Sequence, residues 1–307
     1  MLNRKDLLGL IDASASEITE ILDLAQEYKN RIRAGEKKIS HLSGKTVTVL
    51  FYENSTRTRT SFEEAAKYLG ATTINIEAST SSVAKGETLI DTGKTLDAQS
   101  NDFIVIRHPM GGAPHLLAKT VKAGVLNAGD GVNEHPTQAL LDMLTMRETF
   151  GTLKGLKVAI LGDIKHSRVA KSNLFGLKTM GAEVTMFAPE TLIPKGIEQL
   201  GAKLCKSREE ALDGADVVMG LRIQLERQQV GNFPSLGEYA ANYGVDVKTL
   251  AYAKPNAIIL HPGPVNRGVE LTSDVIDHER SHIEDQVLSG VAVRMAVLTL
   301  LNEARKA

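Results

Sequence analysis

Short apolar runs rich in β-branched residues alternate with helical repeats along most of this chain, and that alternation restricts the fold more than any other feature. Strand-like runs at 46–51, 72–76, 102–106 and 124–128 are separated by helical stretches at 56–69, 87–100, 113–122 and 136–149. A second series follows, with strands at 156–161, 182–187, 216–220 and 256–260 and helices near 168–180, 194–200, 207–213, 236–241 and 246–253. A strand that returns only after an intervening helix pairs in parallel, and a parallel sheet needs helices on its faces. The expected fold is therefore α/β, with two doubly wound parallel-sheet domains. A helix precedes the first strand. Ser14 and Glu17 are spaced as a capping box, and Ile18, Ile21, Leu22, Ala25, Tyr28 and Ile32 form one stripe before Gly35. A last helix over about 284–305 carries Val287, Leu288, Val291, Met295, Leu298 and Leu301 on one side.

The length of 307 residues exceeds the usual size of a single core, which agrees with two domains. The segment Thr149-Phe150-Gly151-Thr152-Leu153-Lys154-Gly155 interrupts the periodicity, so the boundary is placed there, giving a first domain over 1–150 and a second over 151–283. Lysine and arginine number 36 against 37 for aspartate and glutamate, a net charge of −1, which argues against nucleic acid held by bulk charge. The absence of tryptophan and an aromatic content of 4% disfavour a surface that stacks bases. One cysteine, Cys205, excludes an intrachain disulfide framework and a multi-cysteine metal site. With no signal-like N-terminus and no run of roughly 18 apolar residues, the expectation is a cytoplasmic protein of small-molecule chemistry, with no membrane and no nucleic acid as partner.

Phe51-Tyr52-Glu53-Asn54-Ser55-Thr56-Arg57-Thr58-Arg59-Thr60 runs from a buried strand into a helix whose apolar positions are Phe62, Ala65, Ala66 and Leu69. Its first-turn N–H groups lack carbonyl partners and the dipole there is positive, so an anion is drawn to that end, and hydroxyls and guanidiniums complete its shell. A cap alone needs one hydroxyl, and this segment offers four with two arginines. Arg107 emerges where the third strand ends. His135-Pro136-Thr137-Gln138 puts proline in a first helical turn and projects His135 from its edge, where the dipole favours a neutral imidazole able to donate to an oxyanion, with the Gln138 amide one turn on. In the second half, Gly162-Asp163-Ile164-Lys165-His166-Ser167-Arg168 stands where a dinucleotide enzyme would carry its glycine fingerprint. Only Gly162 fits, and the next strand ends in Phe187-Ala188-Pro189 rather than an acid, so nicotinamide binding is rejected. Arg168 and Arg222, with Gln224, suit a dicarboxylate instead. His261-Pro262-Gly263-Pro264 fixes backbone carbonyls that can accept from an amide, or is simply a rigid turn.

Ser55-Thr56-Arg57-Thr58-Arg59, Lys85-Gly86-Glu87-Thr88, Arg107-His108-Pro109, His135-Pro136-Thr137-Gln138, Arg222-Ile223-Gln224 and His261 to Gly268 occur in one order along nearly the whole chain. This set resembles the aspartate/ornithine transcarbamoylase family, on its aspartate side. Ornithine enzymes carry His-Cys-Leu-Pro where this chain reads His261-Pro262-Gly263-Pro264, and Cys205 lies far away. A scaffold that has lost activity should lack Arg57, Lys85, Arg107, His135 or Arg222, and all are present.

The resemblance implies transfer of the carbamoyl group of carbamoyl phosphate to the α-amine of L-aspartate, giving N-carbamoyl-L-aspartate and phosphate in pyrimidine biosynthesis, at an active site between the two domains. It implies catalytic roles for Arg57, Thr58, Lys85, Arg107 and His135, and a carbamoyl-phosphate set of Ser55, Thr56, Arg57, Thr58, Ser81, Arg107, His135, Gln138, Gly263 and Pro264. L-aspartate would be held by Lys85, Arg168, Arg222 and Gln224. No cofactor or metal is implied. The family's last helix, here 284–307, returns to the first domain. Its working unit is a homotrimer with shared active sites, Ser81 and Lys85 reaching the neighbour's site, and the resemblance leaves open a larger assembly with a regulatory chain or dihydroorotase.

Overall fold

A computed structural model describes residues 2–77, 86–224 and 235–306. The chain forms two compact units, Met1–Leu144 with Leu288–Ala307, and Thr145–Val287. The passage between them falls inside a helix each time, whereas the sequence signal for a boundary lay at 149–155.

The first unit begins with α1 (Ala15–Arg33) and continues through β1 (Thr46–Phe51), α2 (Thr56–Tyr68), β2 (Thr72–Glu77), α3 (Leu89–Ala98), β3 (Phe103–His108), α4 (Ala113–Ala118) and β4 (Gly124–Asp130) into α5 (Pro136–Phe150). Its strands form one parallel sheet in the order β2-β1-β3-β4. The chain winds outward from β1 to β2, then crosses back to β3 on the other side, so the topological switch lies between β1 and β3. Leu50, Ile104, Ile106 and Val125 of the sheet are buried with Leu96, Leu117 and Val121. Each such side chain contributes about 1.5–3 kcal/mol when fully buried. The N-terminal segment lengthens the sheet by a bridge from Leu7 to Leu126.

The second unit contains β5 (Lys157–Leu161), α6 (Arg168–Thr179), β6 (Glu183–Phe187), β7 (Lys203–Leu204), α7 (Arg208–Leu212), β8 (Val217–Gly220), α8 (Leu236–Tyr243), α9 (Val247–Leu250), β9 (Ile258–Leu260) and α10 (Ser273–Ile276). Its parallel sheet has the order β7-β6-β5-β8-β9, which puts the switch between β5 and β8. Ala159, Leu161, Val218 and Ile259 pack there with Leu212, Leu250, Leu271 and Val275. The helix expected at 194–200 is a 3-10 turn at Ile197–Leu200, pinched between Gly196 at φ 80° and Gly201 at φ 108°. The two-residue β7 and four-residue α10 were not expected, being too short to show a period.

The last helix, α11 (Asp285–Ala304), differs from the one-sided stripe read in the sequence. Every residue from Val291 to Leu301 is buried, while Val287 is 60% exposed. By length and composition α11 could cross a membrane, yet 78% of its apolar window is buried within the protein, which is the condition of a core helix. Three of its polar residues have partners in the first unit. Ser289 accepts from Lys29 Nζ at 2.9 Å, Thr299 bonds Tyr28 Oη at 2.9 Å, and Arg294 Nη1 donates to Ser61 Oγ at 2.8 Å.

Candidate active site

In a doubly wound sheet, ligands collect beyond the carboxyl ends of the strands at the switch point. Both units place the residues picked out in the sequence on such loops. In the first unit the loop after β1 enters α2 at Ser55, which has extended backbone geometry but makes no side-chain capping bond. Ser14, Thr88, Ser167, Ser207 and Ser235 all cap their helices through their hydroxyls. The capping explanation for Ser55 is therefore removed. No acidic residue occupies the first turn of α2, so the positive end of that helix is not neutralised locally. Thr56 and Arg57 are exposed and Thr58 is buried. Arg59 behaves differently: it pairs with Glu77 and lies 3.9 Å from Glu63, so it secures α2 rather than adding to the anion shell.

Arg107 lies within β3, not past it, because the pairing continues as far as Phe51 opposite Arg107. On the other edge the register shifts between Ile106 and His108: Ile106 faces Asn127 and His108 faces Asp130, so β4 carries the extra residue of a bulge. Bulges beside functional loops re-aim side chains. Here Nη1 of Arg107 donates to the Ala128 carbonyl at 3.4 Å, and Nε donates to Glu53 Oε2 at 3.2 Å. Tyr52 N–H donates to the Arg107 carbonyl at 2.9 Å, which ties the β1 loop to the end of β3. The structure thus brings the Ser55–Thr58 loop and Arg107 together at one switch point.

His135 stands immediately before α5 and is 4% exposed. The expectation that Gln138 offers its amide group is modified. Its Nε2 donates to Asp142 Oδ1 at 2.9 Å, which leaves the side-chain oxygen as the group suited to accept from an amide. Asp142 also acts on Arg294, whose complete burial lowers its pKa to about 10 against the opposing pull of that carboxylate. Burial likewise lowers the pKa of His108, whose Nδ1 accepts from Met110 N–H at 3.0 Å.

In the second unit Ser167 caps α6 and Arg168 opens it, 3% exposed. Arg222 and Gln224 follow β8, the other switch strand. Asp163 joins the two loops: it bonds His166 Nδ1 at 2.9 Å through Oδ1 and accepts from Gln224 N–H at 3.4 Å through Oδ2. Glu270 joins the Arg222 loop to the loop after β9. It accepts from Ile223 N–H at 2.7 Å, Asn266 N–H at 2.9 Å and Asn266 Nδ2 at 2.7 Å, and burial raises its pKa. Arg168, Arg222 and Gln224 therefore sit on bonded neighbouring loops. Gly263 and Pro264 are close by in the chain's order: Gly263 N–H donates to His261 Nδ1 at 2.8 Å, and His261 N–H to Gln286 Oε1 at 2.9 Å. Gly263 has φ 63°, in the left-handed region that favours glycine.

Ser81 and Lys85 lie outside the described residues. Sequence reasoning passed over the acids: Glu53, Asp130, Asp163 and Glu270 hold the basic residues or their loops. The available signal was position, since Glu53, Asp130 and Asp163 each sit at or just beyond a strand's carboxyl end.

Two doubly wound units with cationic and amide groups on their switch loops have the architecture of an α/β enzyme that handles anionic substrates. Residues 5–148 match the carbamoyl-phosphate binding domain of the aspartate/ornithine carbamoyltransferases, and residues 154–301 match their aspartate/ornithine binding domain. The chain is 63% identical over 300 residues to the aspartate carbamoyltransferase catalytic subunit of Ruminiclostridium cellulolyticum, covering 98% of this chain and 96% of that one. The crystal structure of aspartate transcarbamoylase from Trypanosoma cruzi with carbamoyl phosphate and aspartate superposes with a TM-score of 0.87 at 33% identity, over 96% of this chain and 95% of that one. Ornithine carbamoyltransferase from Thermus thermophilus gives 0.86 at 28% identity, over 98% and 99%. The chain belongs to the aspartate/ornithine carbamoyltransferase family, and is an enzyme of carbamoyl transfer.

Proposed function

We propose that the acceptor is L-aspartate, so that the reaction is attack of its α-amine on the carbonyl carbon of carbamoyl phosphate, with N-carbamoyl-L-aspartate and phosphate as products. The observation that carries this reading is the pair of guanidiniums, Arg168 and Arg222, each on a loop that follows a switch strand of the second unit. A dicarboxylate needs two such forks. Ornithine would attack through its side-chain amine and keep an α-ammonium that needs a carboxylate, and among the described residues of these loops the acids Asp163 and Glu270 are bonded to this chain's own donors. The names of the relatives above 50% identity point the same way.

In this reading Ser55, Thr56, Arg57 and Thr58 hold the phosphate, joined by Ser81 and Lys85. Thr58, Arg107 and His135 donate to the carbonyl oxygen as it gains charge, while Gln138 Oε1 and the carbonyls of Gly263 and Pro264 accept from the carbamoyl NH2. Lys85, Arg168, Arg222 and Gln224 orient aspartate. Fixing two substrates in reacting geometry can supply roughly 7–11 kcal/mol of the barrier. The proton leaving the amine passes to the departing phosphate. The test offers carbamoyl phosphate with aspartate or with ornithine and measures ureido product. Aspartate should give product and ornithine none; product with ornithine alone would overturn the reading.

A further inference from the structure

Asp130 ends β4, five residues before His135, and is completely buried. Its carboxylate accepts four hydrogen bonds, two per oxygen. Oδ1 takes Asn127 Nδ2 at 2.8 Å and Glu134 N–H at 3.1 Å, and Oδ2 takes Gly112 N–H at 2.7 Å and Asn133 Nδ2 at 3.0 Å. All four donors are neutral. Asp130 N–H also donates to the Glu134 carbonyl at 3.2 Å, so Glu134 is gripped by both its amide and its carbonyl. Its side chain is gripped as well, Oε2 accepting from Leu10 N–H at 2.8 Å. The residue directly before His135 is thereby fixed at three points. The other oxygen fixes Gly112, in the loop that leaves β3 after Arg107, and the register pairs Asp130 with His108 across the bulge.

We propose that Asp130 is a positioning residue for carbamoyl transfer: its saturated carboxylate locks the His135 loop to the end of β3, setting the imidazole relative to the Arg107 guanidinium. This rests on the reading of His135 and Arg107 as donors to the carbonyl oxygen. A carboxylate suits the place because it has only acceptors. In Asp130→Asn the new NH2 faces N–H donors, two of which lose their partner in a buried site.

The test compares Asp130→Asn, His135→Ala and the double variant by kcat and by KM for carbamoyl phosphate. Asp130→Asn should lower kcat by about 100-fold, the penalty for a reacting group displaced by about 1 Å. KM should rise by a much smaller factor than kcat falls, since the phosphate-holding loop before α2 makes none of these bonds. In the His135→Ala background the same substitution should have no further effect, because it acts through a side chain already removed. Wild-type kcat in Asp130→Asn, or an effect that adds in full to that of His135→Ala, overturns the proposal. Wild-type kcat in His135→Ala overturns the parent reading and the proposal together. If Asp130→Asn does not fold, Asn133→Ala carries the same cycle from the half-exposed side of the cluster. It should cost about fivefold in kcat, absent when His135 is alanine.

Discussion

Gly162 shows how one residue controls the acceptor half of the enzyme. Its φ is 130°, and a Cβ there would lie 2.5 Å from the Leu221 carbonyl oxygen. The loops after β5 and β8, which carry Arg168 and Arg222, approach each other at that point. Gly162→Ala must push them apart and strain the backbone, at about 1–2 kcal/mol for the strain alone. The expected outcome is a lower thermal midpoint with a raised KM for the acceptor and an unchanged KM for carbamoyl phosphate. Equal changes in both KM values would refute the local account. The basic residues were legible in the sequence because Arg57, Arg107 and His135 stand in tight motifs. The acids that place them were not. Glu270 is 47 residues from Ile223, whose N–H it accepts, and nothing local in a carboxylate says which amide it will accept from.

Elements with strong local signals were readable where end and period agreed. α1 is the clearest case: Ser14 accepts from Glu17 N–H at 3.2 Å and Glu17 Oε2 from Ser14 N–H at 2.8 Å, the reciprocal pair the spacing predicts. The sequence did not show that Arg4 clamps the same carboxylate, at 2.5 Å. That bond, ahead of burial and the Ser14 contacts, brings the pKa of Glu17 down from 4.5 to about 2. A carboxyl depressed on folding stabilises fully above its unfolded value and loses that contribution as the pH falls through its folded value. The stability of α1 should therefore decline between about pH 4.5 and pH 2, and Glu17→Gln should flatten that part of the profile while lowering stability at neutral pH. Thermal midpoints against pH for the two proteins decide it; parallel curves would refute the assignment. β7 escaped notice because two residues cannot display a period, and it pairs with the edge of β6.

At the scale of the whole molecule, the trimer with shared sites that the family resemblance implies makes a prediction that no single chain could meet. Arg57→Ala and Lys85→Ala proteins should each be nearly inactive. If one protomer's Lys85 serves its neighbour's Arg57, dissociating and mixing them in equal amounts should restore about a quarter of the wild-type sites, by chance pairing around a closed ring. No recovery after verified subunit exchange would sink the shared site. Alternation of strands and helices was enough to reveal two parallel sheets, while strand order could not be read, since β1 and β5 begin their units yet lie inside their sheets. The division of the chain has a further effect on biosynthesis. The first unit includes Leu288–Ala307, so it cannot close when its first 144 residues leave the ribosome. At ordinary elongation rates of about 5–20 residues per second, it must wait many seconds for α11 while the unit encoded in between is already complete. A premature stop codon just upstream of Leu288 would accordingly spare the acceptor half and orphan the half that carries the anion-binding motif.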